Sequence, residues 1–300
     1  MRPFLASSGQ TLLLKLRKAY FLSTFIGPHS MKYLVKIASI ALIGSLGLAA
    51  CQKDKKTVED PAPEPVTPIT PVTPKGDMKI EFSNMVDDEL LVFGKSYTNP
   101  NGEPYTVSKF NYYISNIVLT KSDNSVLKID NLYHIVNHSK DTSRIVKISG
   151  IPEGSYKAMK IMLGVDSVRN RSGAQTGGLD IGYAYENSMY WDWNQGYIFL
   201  KLEGVSASSP SNDIAFHMGG GNGPNRTQRE FDIYFSGAEA AVSKAATPTV
   251  NLIVNVNEMF KSPTTLSFTK HSSILSPGTK DTKMIADNYA DMIKFGSIKN

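Results

Sequence analysis

The chain has 300 residues, among them 32 Lys and Arg, 27 Asp and Glu, five His and a single Cys, and its formal net charge is +5. Six of the basic residues and none of the acidic ones lie within residues 1–50, so the rest of the chain, with 26 basic against 27 acidic side chains, is close to neutral. The excess of positive charge is therefore no argument for a nucleic-acid partner, and the single Cys excludes an intramolecular disulfide.

The N-terminal region has the pattern of a secretory signal. We interpret residues 1–30 as an over-extended gene start, because Met31 offers a good internal start and is soon followed by Lys32 and Lys36. Residues 37–50 are uncharged and mostly apolar, a run that is too short for a membrane-spanning helix and typical of a signal peptide. Residues 31–50 are thus predicted to be a lipoprotein signal peptide.

Cys51 follows the small residues Ala49 and Ala50, as at a lipoprotein cleavage site. We predict that Cys51 is lipidated and anchors the protein to a lipid membrane of a bacterial cell envelope. The outer membrane is favoured, with the protein on its periplasmic side or at the cell surface. An ordinary signal peptide with a chance cysteine is the alternative. Residues 51–77 contain six prolines and are predicted to form a lipid-anchored, Pro-rich linker, a semi-rigid stalk that extends about 3.1 Å per residue.

Residues 78–300 are predicted to form one all-β domain, an antiparallel β-sandwich or flattened barrel with a short C-terminal helix. Short runs rich in β-branched and aromatic residues recur between turn sequences such as Asn101-Gly102 and Pro277-Gly278. Only residues 283–294 carry apolar side chains near helical spacing. The predicted strands are 78–82, 110–120, 126–129, 133–136, 144–148, 155–165, 197–203, 213–218, 230–235 and 249–256.

The two tryptophans of the chain, Trp191 and Trp193, lie one position apart and close to Met189. In an extended strand, residues i and i+2 point to the same side, so this spacing predicts one face that carries a thioether and two indoles. Such a face is either a large piece of hydrophobic core or a soft, electron-rich site for a metal ion or another ligand. The residues alone leave both interpretations open.

Motifs of the common catalytic sites are missing from the sequence. It has no Gly-x-Ser-x-Gly elbow, no His-Glu-x-x-His zinc helix and no Cys pair, and the glycine-rich segment 219–223 lacks the Lys-Ser/Thr of a nucleotide site. Histidines are scarce: after the signal they are His134, His138, His217 and His271. Taken singly, each is more often a structural residue than a ligand, but imidazole and thioether groups together suit copper, especially Cu(I).

Several motifs recur through the mature chain, and the most specific is Trp-x-Trp-x-x-Gly-Tyr-x-Phe, which spans Trp191 to Phe199. The other segments are Phe110–Ile117, Gly154–Tyr156, Leu163–Asp166, Met189–Trp193, Gly196–Gly204, Phe216–Gly219 and Ile285–Asn288. In these motifs and their order the chain resembles the MbnP-like copper-binding protein family, which is related to the CorA copper-repressible surface protein.

The resemblance implies a copper-binding protein for copper acquisition or handling rather than an enzyme. In the family, histidines hold copper beside an oxidised tryptophan, a kynurenine, which a di-haem peroxidase-like partner produces. The matching tryptophans are Trp191 and Trp193, and either is a candidate for oxidation. Among the histidines, His217 is the first candidate ligand and His134 the second, while Met189 is a candidate soft ligand.

A different class of function uses the same residues. Exposed Trp191 and Trp193 would form a stacking platform for sugar rings, which would make the protein a glycan- or partner-binding surface lipoprotein. A third, weaker interpretation is a structural accessory to a neighbouring haem or transport system. Copper content and tryptophan modification separate the first two hypotheses, because a glycan binder needs neither.

Overall fold

The structure, a computed structural model, describes residues 73–173, 175–194 and 196–300. The predicted gene start, the signal peptide, Cys51 and the linker up to residue 72 lie outside the described residues. The first strand begins at Lys75, so it takes up the last three residues of the predicted linker.

Fifteen strands lie within the described residues, and each of the ten predicted segments overlaps one of them. In chain order they are β1 (Lys75–Val86), β2 (Glu89–Leu90), β3 (Ser96–Thr98), β4 (Pro104–Lys121), β5 (Val126–Lys128), β6 (Tyr133–Asn137), β7 (Ile145–Pro152), β8 (Gly154–Leu163), β9 (Ile198–Val205), β10 (Asp213–Gly219), β11 (Arg229–Tyr234), β12 (Ala240–Val242), β13 (Thr249–Asn255), β14 (Ser273–Ile274) and β15 (Ile293–Lys299).

The strands form two sheets. The smaller sheet has the order β15-β13-β1-β2, with β7 also paired to β1. The larger sheet has the order β11-β8-β4-β9-β10-β14, and β3, β5 and β6 pair with β4 while β12 pairs with β8. The all-β class and the short C-terminal helix are confirmed. Most strand pairings are antiparallel, as predicted, but β1 runs parallel to β13 and β10 runs parallel to β14. A parallel pair needs a long crossover connection, and every strand of the larger sheet except β14 lies between β1 and β13 in the chain.

Alternation along the strands produces the core between the sheets. In β1, Met78, Ile80 and Phe82 are buried at every second position, as the period of two in a strand requires. Phe82 meets Tyr112 of β4 edge to face, with ring centroids 6.0 Å apart. The Tyr112 hydroxyl donates to Asn84 Oδ1 at 2.8 Å, so a buried polar contact also joins the two sheets.

In the described part of the chain, two α-helices complete the fold, α1 (Ile181–Glu186) and α2 (Lys280–Asn288). Helix α1 was not predicted, and α2 covers only the first half of the predicted segment 283–294. The chain from Ile293 onward pairs with β13, so sheet pairing overrides the helical spacing there. Helix α2 begins at a reciprocal cap between Thr279 and Thr282. Within the described residues, neither these helices nor the 3-10 turns are long and apolar enough to cross a membrane.

Candidate functional site

The segment with the two tryptophans is a loop, not a strand, so the prediction of one shared strand face is wrong. After α1 the chain turns at Ser188 (φ 58°) and folds back on itself through a single bridge between Tyr190 and Tyr197. Met189 is fully buried, its backbone carbonyl accepting from Ile198 N at 2.9 Å. The alternation holds only in extended chain, and the bends at residues 192–194 and at Gly196 interrupt it.

The loop gives the two indoles different environments but keeps them in contact. Trp191 is 5% exposed and Trp193 is 64% exposed, yet their ring centroids are 5.2 Å apart. The centroid of Trp191 also lies 5.9 Å from that of His217 in β10. Trp191, Trp193 and His217 therefore form one cluster, with Trp191 at its centre and Trp193 at its surface.

Gly219, at the end of β10, permits this packing. A Cβ atom at this position would lie 3.2 Å from Trp191 Nε1 and 3.1 Å from the Tyr197 carbonyl oxygen, tighter than ordinary van der Waals contact. The missing side chain lets the indole approach the strand backbone, as glycine does wherever another group must come close.

A charged group lies on the other side of His217. Glu203 of β9 accepts from His217 Nε2 through Oε1 at 2.8 Å. The same carboxylate pairs with Lys109 Nζ through Oε2 at 3.0 Å and with Lys201 Nζ through Oε1 at 3.4 Å. We refer to Glu203, His217, Lys109 and Lys201 as the Glu203 cluster.

The environment perturbs the pKa of three members of this cluster. Hydrogen bonding from His217 and pairing with the lysines hold the pKa of Glu203 well below its usual range, against the opposing effect of burial. Burial lowers the pKa of His217, although the Glu203 hydrogen bond opposes this. Burial also lowers the pKa of Lys201, whose side chain is almost covered. These directions of the pKa shifts indicate that His217 is a neutral imidazole, which donates one hydrogen bond to the ionised carboxylate of Glu203.

His134 does not join this cluster. Opposite residues of paired strands point to the same face, and the pairings His217–Lys201 and Lys201–Asn111 place these three side chains on one face of the larger sheet. His134 pairs with Ile114, three positions from Asn111, so it points to the other face. Three strand spacings of about 4.8 Å also separate β6 from β10, so one ion cannot reach both histidines.

Structural contacts occupy His134 and His138. His134 Nε2 lies 2.6 Å from the Ser143 carbonyl oxygen, and burial lowers the pKa of the ring. His138 Nδ1 accepts from Asn84 Nδ2 at 3.0 Å, and its ring packs on Phe93 with centroids 4.8 Å apart.

Without a chemical modification, the side chains near Trp191 offer too few donor atoms to form a copper site. Throughout the described ranges, no group of three His, Cys, Asp or Glu side chains converges to hold a metal ion. The cluster offers the imidazole of His217, while both oxygens of Glu203 are engaged by Lys109, Lys201 and His217 itself. Copper sites in proteins generally combine several nitrogen or sulfur donors. A copper site at His217 therefore needs a further donor, and Trp191 is the adjacent group whose oxidation would supply one.

Three residues of the cluster were not predicted: Glu203, Lys201 and Lys109. The sequence does carry a signal for the first two. Lys201 and Glu203 lie two positions apart in an otherwise apolar strand, so they must share a face, and charges on a covered face need partners. Their proximity to His217 depends on strand pairing and was not readable from the local sequence.

The fold and this site define an all-β domain with a cluster of Trp191, Trp193 and His217. The MbnP family model matches residues 75–279, just over two thirds of the chain, and the chain belongs to this family. The predicted membership is thus confirmed, and the match ends one residue before α2. Among solved structures, MbnP from Methylosinus trichosporium is similar, with 12% identity, coverage of 67% of this chain and 81% of that chain, and a TM-score of 0.42. Comparison with curated proteins gives no significant match.

Proposed function

We propose that the protein is an extracytoplasmic copper-binding lipoprotein that takes up or hands on one copper ion, held by His217 and an oxidised Trp191. The observation that carries this proposal is the contact between the two rings, 5.9 Å between centroids, at a position where Trp191 is buried. Imidazole is a good copper ligand, whereas an intact indole has an N–H donor and no lone pair to offer.

Oxidation of Trp191 would provide the missing donor. Conversion to kynurenine breaks the indole C2–C3 bond with addition of two oxygen atoms, after which hydrolysis removes C2 as formate. The products of ring opening are an arylamine and a carbonyl, both with lone pairs. A peroxide-dependent haem protein is the oxidant class that the family resemblance implies. Trp191 is the better candidate because it contacts His217, while Trp193 contacts Trp191 and is largely exposed.

The remaining predicted ligands contribute less. His134 points to the other face of the sheet and contacts the Ser143 carbonyl oxygen, so we do not include it in the copper site. Met189 is fully buried under the loop and would reach an ion only after the loop rearranges. The lipid anchor at Cys51 belongs to the same proposal, because it would keep the domain at the envelope where copper is captured.

Mass spectrometry and metal analysis of protein purified from its native host test the proposal. We expect stoichiometric copper and a peptide containing residue 191 that is heavier by about 4 Da, the balance of two added oxygens, one water and one lost formic acid. A Trp193→Phe variant is the matched control and should keep both features, whereas Trp191→Phe should lose both. Unmodified tryptophan with no copper retained after loading would refute the proposal.

One observation favours a second candidate, a glycan- or partner-binding surface. Tyr183, Tyr185 and Trp193 are all exposed and lie within eleven residues of the chain, and exposed aromatic rings stack on sugar rings. Trp191 cannot belong to such a platform, because it is 5% exposed. A glycan array probed with the wild type and with Trp193→Ala tests this candidate: binding that the substitution abolishes supports it, and an array without signal refutes it.

A further inference from the structure

The hydrogen bond between Glu203 and His217 determines which nitrogen of the imidazole ring keeps a free lone pair. Glu203 Oε1 lies 2.8 Å from His217 Nε2, and no described residue hydrogen-bonds to His217 Nδ1. An ionised carboxylate is only an acceptor, so Nε2 must carry the proton. A neutral imidazole has one N–H and one lone pair, and the lone pair is then on Nδ1.

Lys109 and Lys201 hold Glu203 as the acceptor of this hydrogen bond. Lys109 pairs with Oε2 at 3.0 Å and Lys201 with Oε1 at 3.4 Å, so both carboxylate oxygens have cationic partners. Lys201 is 8% exposed and lies directly across the β9–β10 pairing from His217. With its oxygens engaged in this way, Glu203 is held as an acceptor and is not free to act as a metal ligand itself.

We propose that Glu203 is a positioning residue, which fixes His217 in the tautomer with a proton on Nε2 and so presents Nδ1 as the copper-binding atom. The copper-binding part rests on the proposed function, whereas the tautomer is a property of the metal-free protein. Histidine ligands commonly donate their second N–H to a carboxylate, and loss of such a partner weakens metal binding by roughly 10–100-fold.

The protein contains an internal reference for the experiment. His134 Nε2 faces the Ser143 carbonyl oxygen at 2.6 Å, and a carbonyl is also only an acceptor. His134 should therefore show the same tautomer as His217 but should not respond to changes at Glu203. Asp232→Asn is the matched control variant, because Asp232 forms an exposed pair with Lys160 on the same sheet.

Long-range ¹H–¹⁵N spectra of metal-free, ¹⁵N-histidine-labelled protein in mildly alkaline buffer test the positioning role. We expect a protonated Nε2 and an unprotonated Nδ1 for His217 in the wild type and in Asp232→Asn. Glu203→Gln should give a mixture of tautomers at His217 alone, since an amide either donates or accepts. Its affinity for Cu(I), measured against a competing chelator, should fall by roughly 10–100-fold.

The outcomes separate the two proposals. An unprotonated Nε2 at His217 in the wild type, or an unchanged tautomer in Glu203→Gln, overturns the positioning role even if copper binds. The expected tautomers in a wild-type protein that carries the oxidised Trp191 and still binds no Cu(I) would instead support the control of the ring by Glu203 and refute the copper site. Loss of tautomer control without any change in affinity would overturn the assignment of Nδ1 as the ligating atom.

Discussion

Replacing Trp191 by Ala should destabilise the domain far more than the same change at Trp193. Trp191 is 5% exposed and packs on His217, Trp193 and the Gly219 backbone, so its removal leaves a cavity inside the loop. Truncation of a buried tryptophan typically costs about 3–5 kcal/mol. Trp193 is 64% exposed, and its removal should cost about 1 kcal/mol, the value of one aromatic contact.

Urea unfolding followed by far-ultraviolet circular dichroism measures both free energies without relying on tryptophan emission. We expect a difference of at least about 2 kcal/mol between the two variants, with similar slopes against denaturant. The single-tryptophan variants Trp191→Phe and Trp193→Phe provide a second readout, because the chain has only two tryptophans. Acrylamide should quench the emission of Trp193 strongly and that of Trp191 weakly. Equal destabilisation and equal quenching would refute the loop arrangement and restore the shared strand face.

Three further predictions concern the sandwich itself. Tyr112→Phe leaves the buried Asn84 Oδ1 without its donor, and the urea midpoint should fall by an equivalent of about 1–3 kcal/mol; an unchanged midpoint would contradict the inter-sheet contact. Burial lowers the pKa of His134 and of His138, so the unfolded chain binds more protons than the folded one below about pH 6.5. Thermal stability should therefore decline as the pH falls below that value, and the decline should be smaller in His138→Gln. Gly204→Ala places a Cβ atom 1.9 Å from a carbonyl oxygen of β4, and this should cost about 1–3 kcal/mol or more, measured by thermal unfolding.

Local sequence patterns were sufficient to predict strands such as β1, which are buried on one face only. In β1 the apolar residues Met78, Ile80 and Phe82 alternate with the polar residues Lys79 and Glu81, and this period of two specifies both the extended conformation and the buried face. The parallel pairing of β1 with β13 has no local signature. It joins residues about 170 positions apart, and the same alternation would serve an antiparallel neighbour equally well.

The tryptophan segment shows where such a pattern fails. The spacing of Trp191 and Trp193 fits a strand. The chain instead folds back between Tyr190 and Tyr197, which form an antiparallel bridge, and both tryptophans lie in the loop between these two residues. The two rings still touch, so the predicted association of the indoles holds while its geometric basis was wrong. The bends at residues 192–194 and at Gly196 were open to prediction from Asp192, Asn194 and Gly196, residue types that favour turns.

The relation between the two candidate histidines depends on strand register. From the sequence, His217 was the first candidate ligand because it lies in a segment that matches the family, and His134 was the second because it lies near a strand end. Pairing places His217 across from Lys201 and His134 across from Ile114, on opposite faces. A shift of one residue in either ladder would exchange the faces, and no property of the histidines themselves reports the register. The chain therefore brings His217 and not His134 to Trp191, and the proposed copper site relies on oxidation of the tryptophan for its further donor.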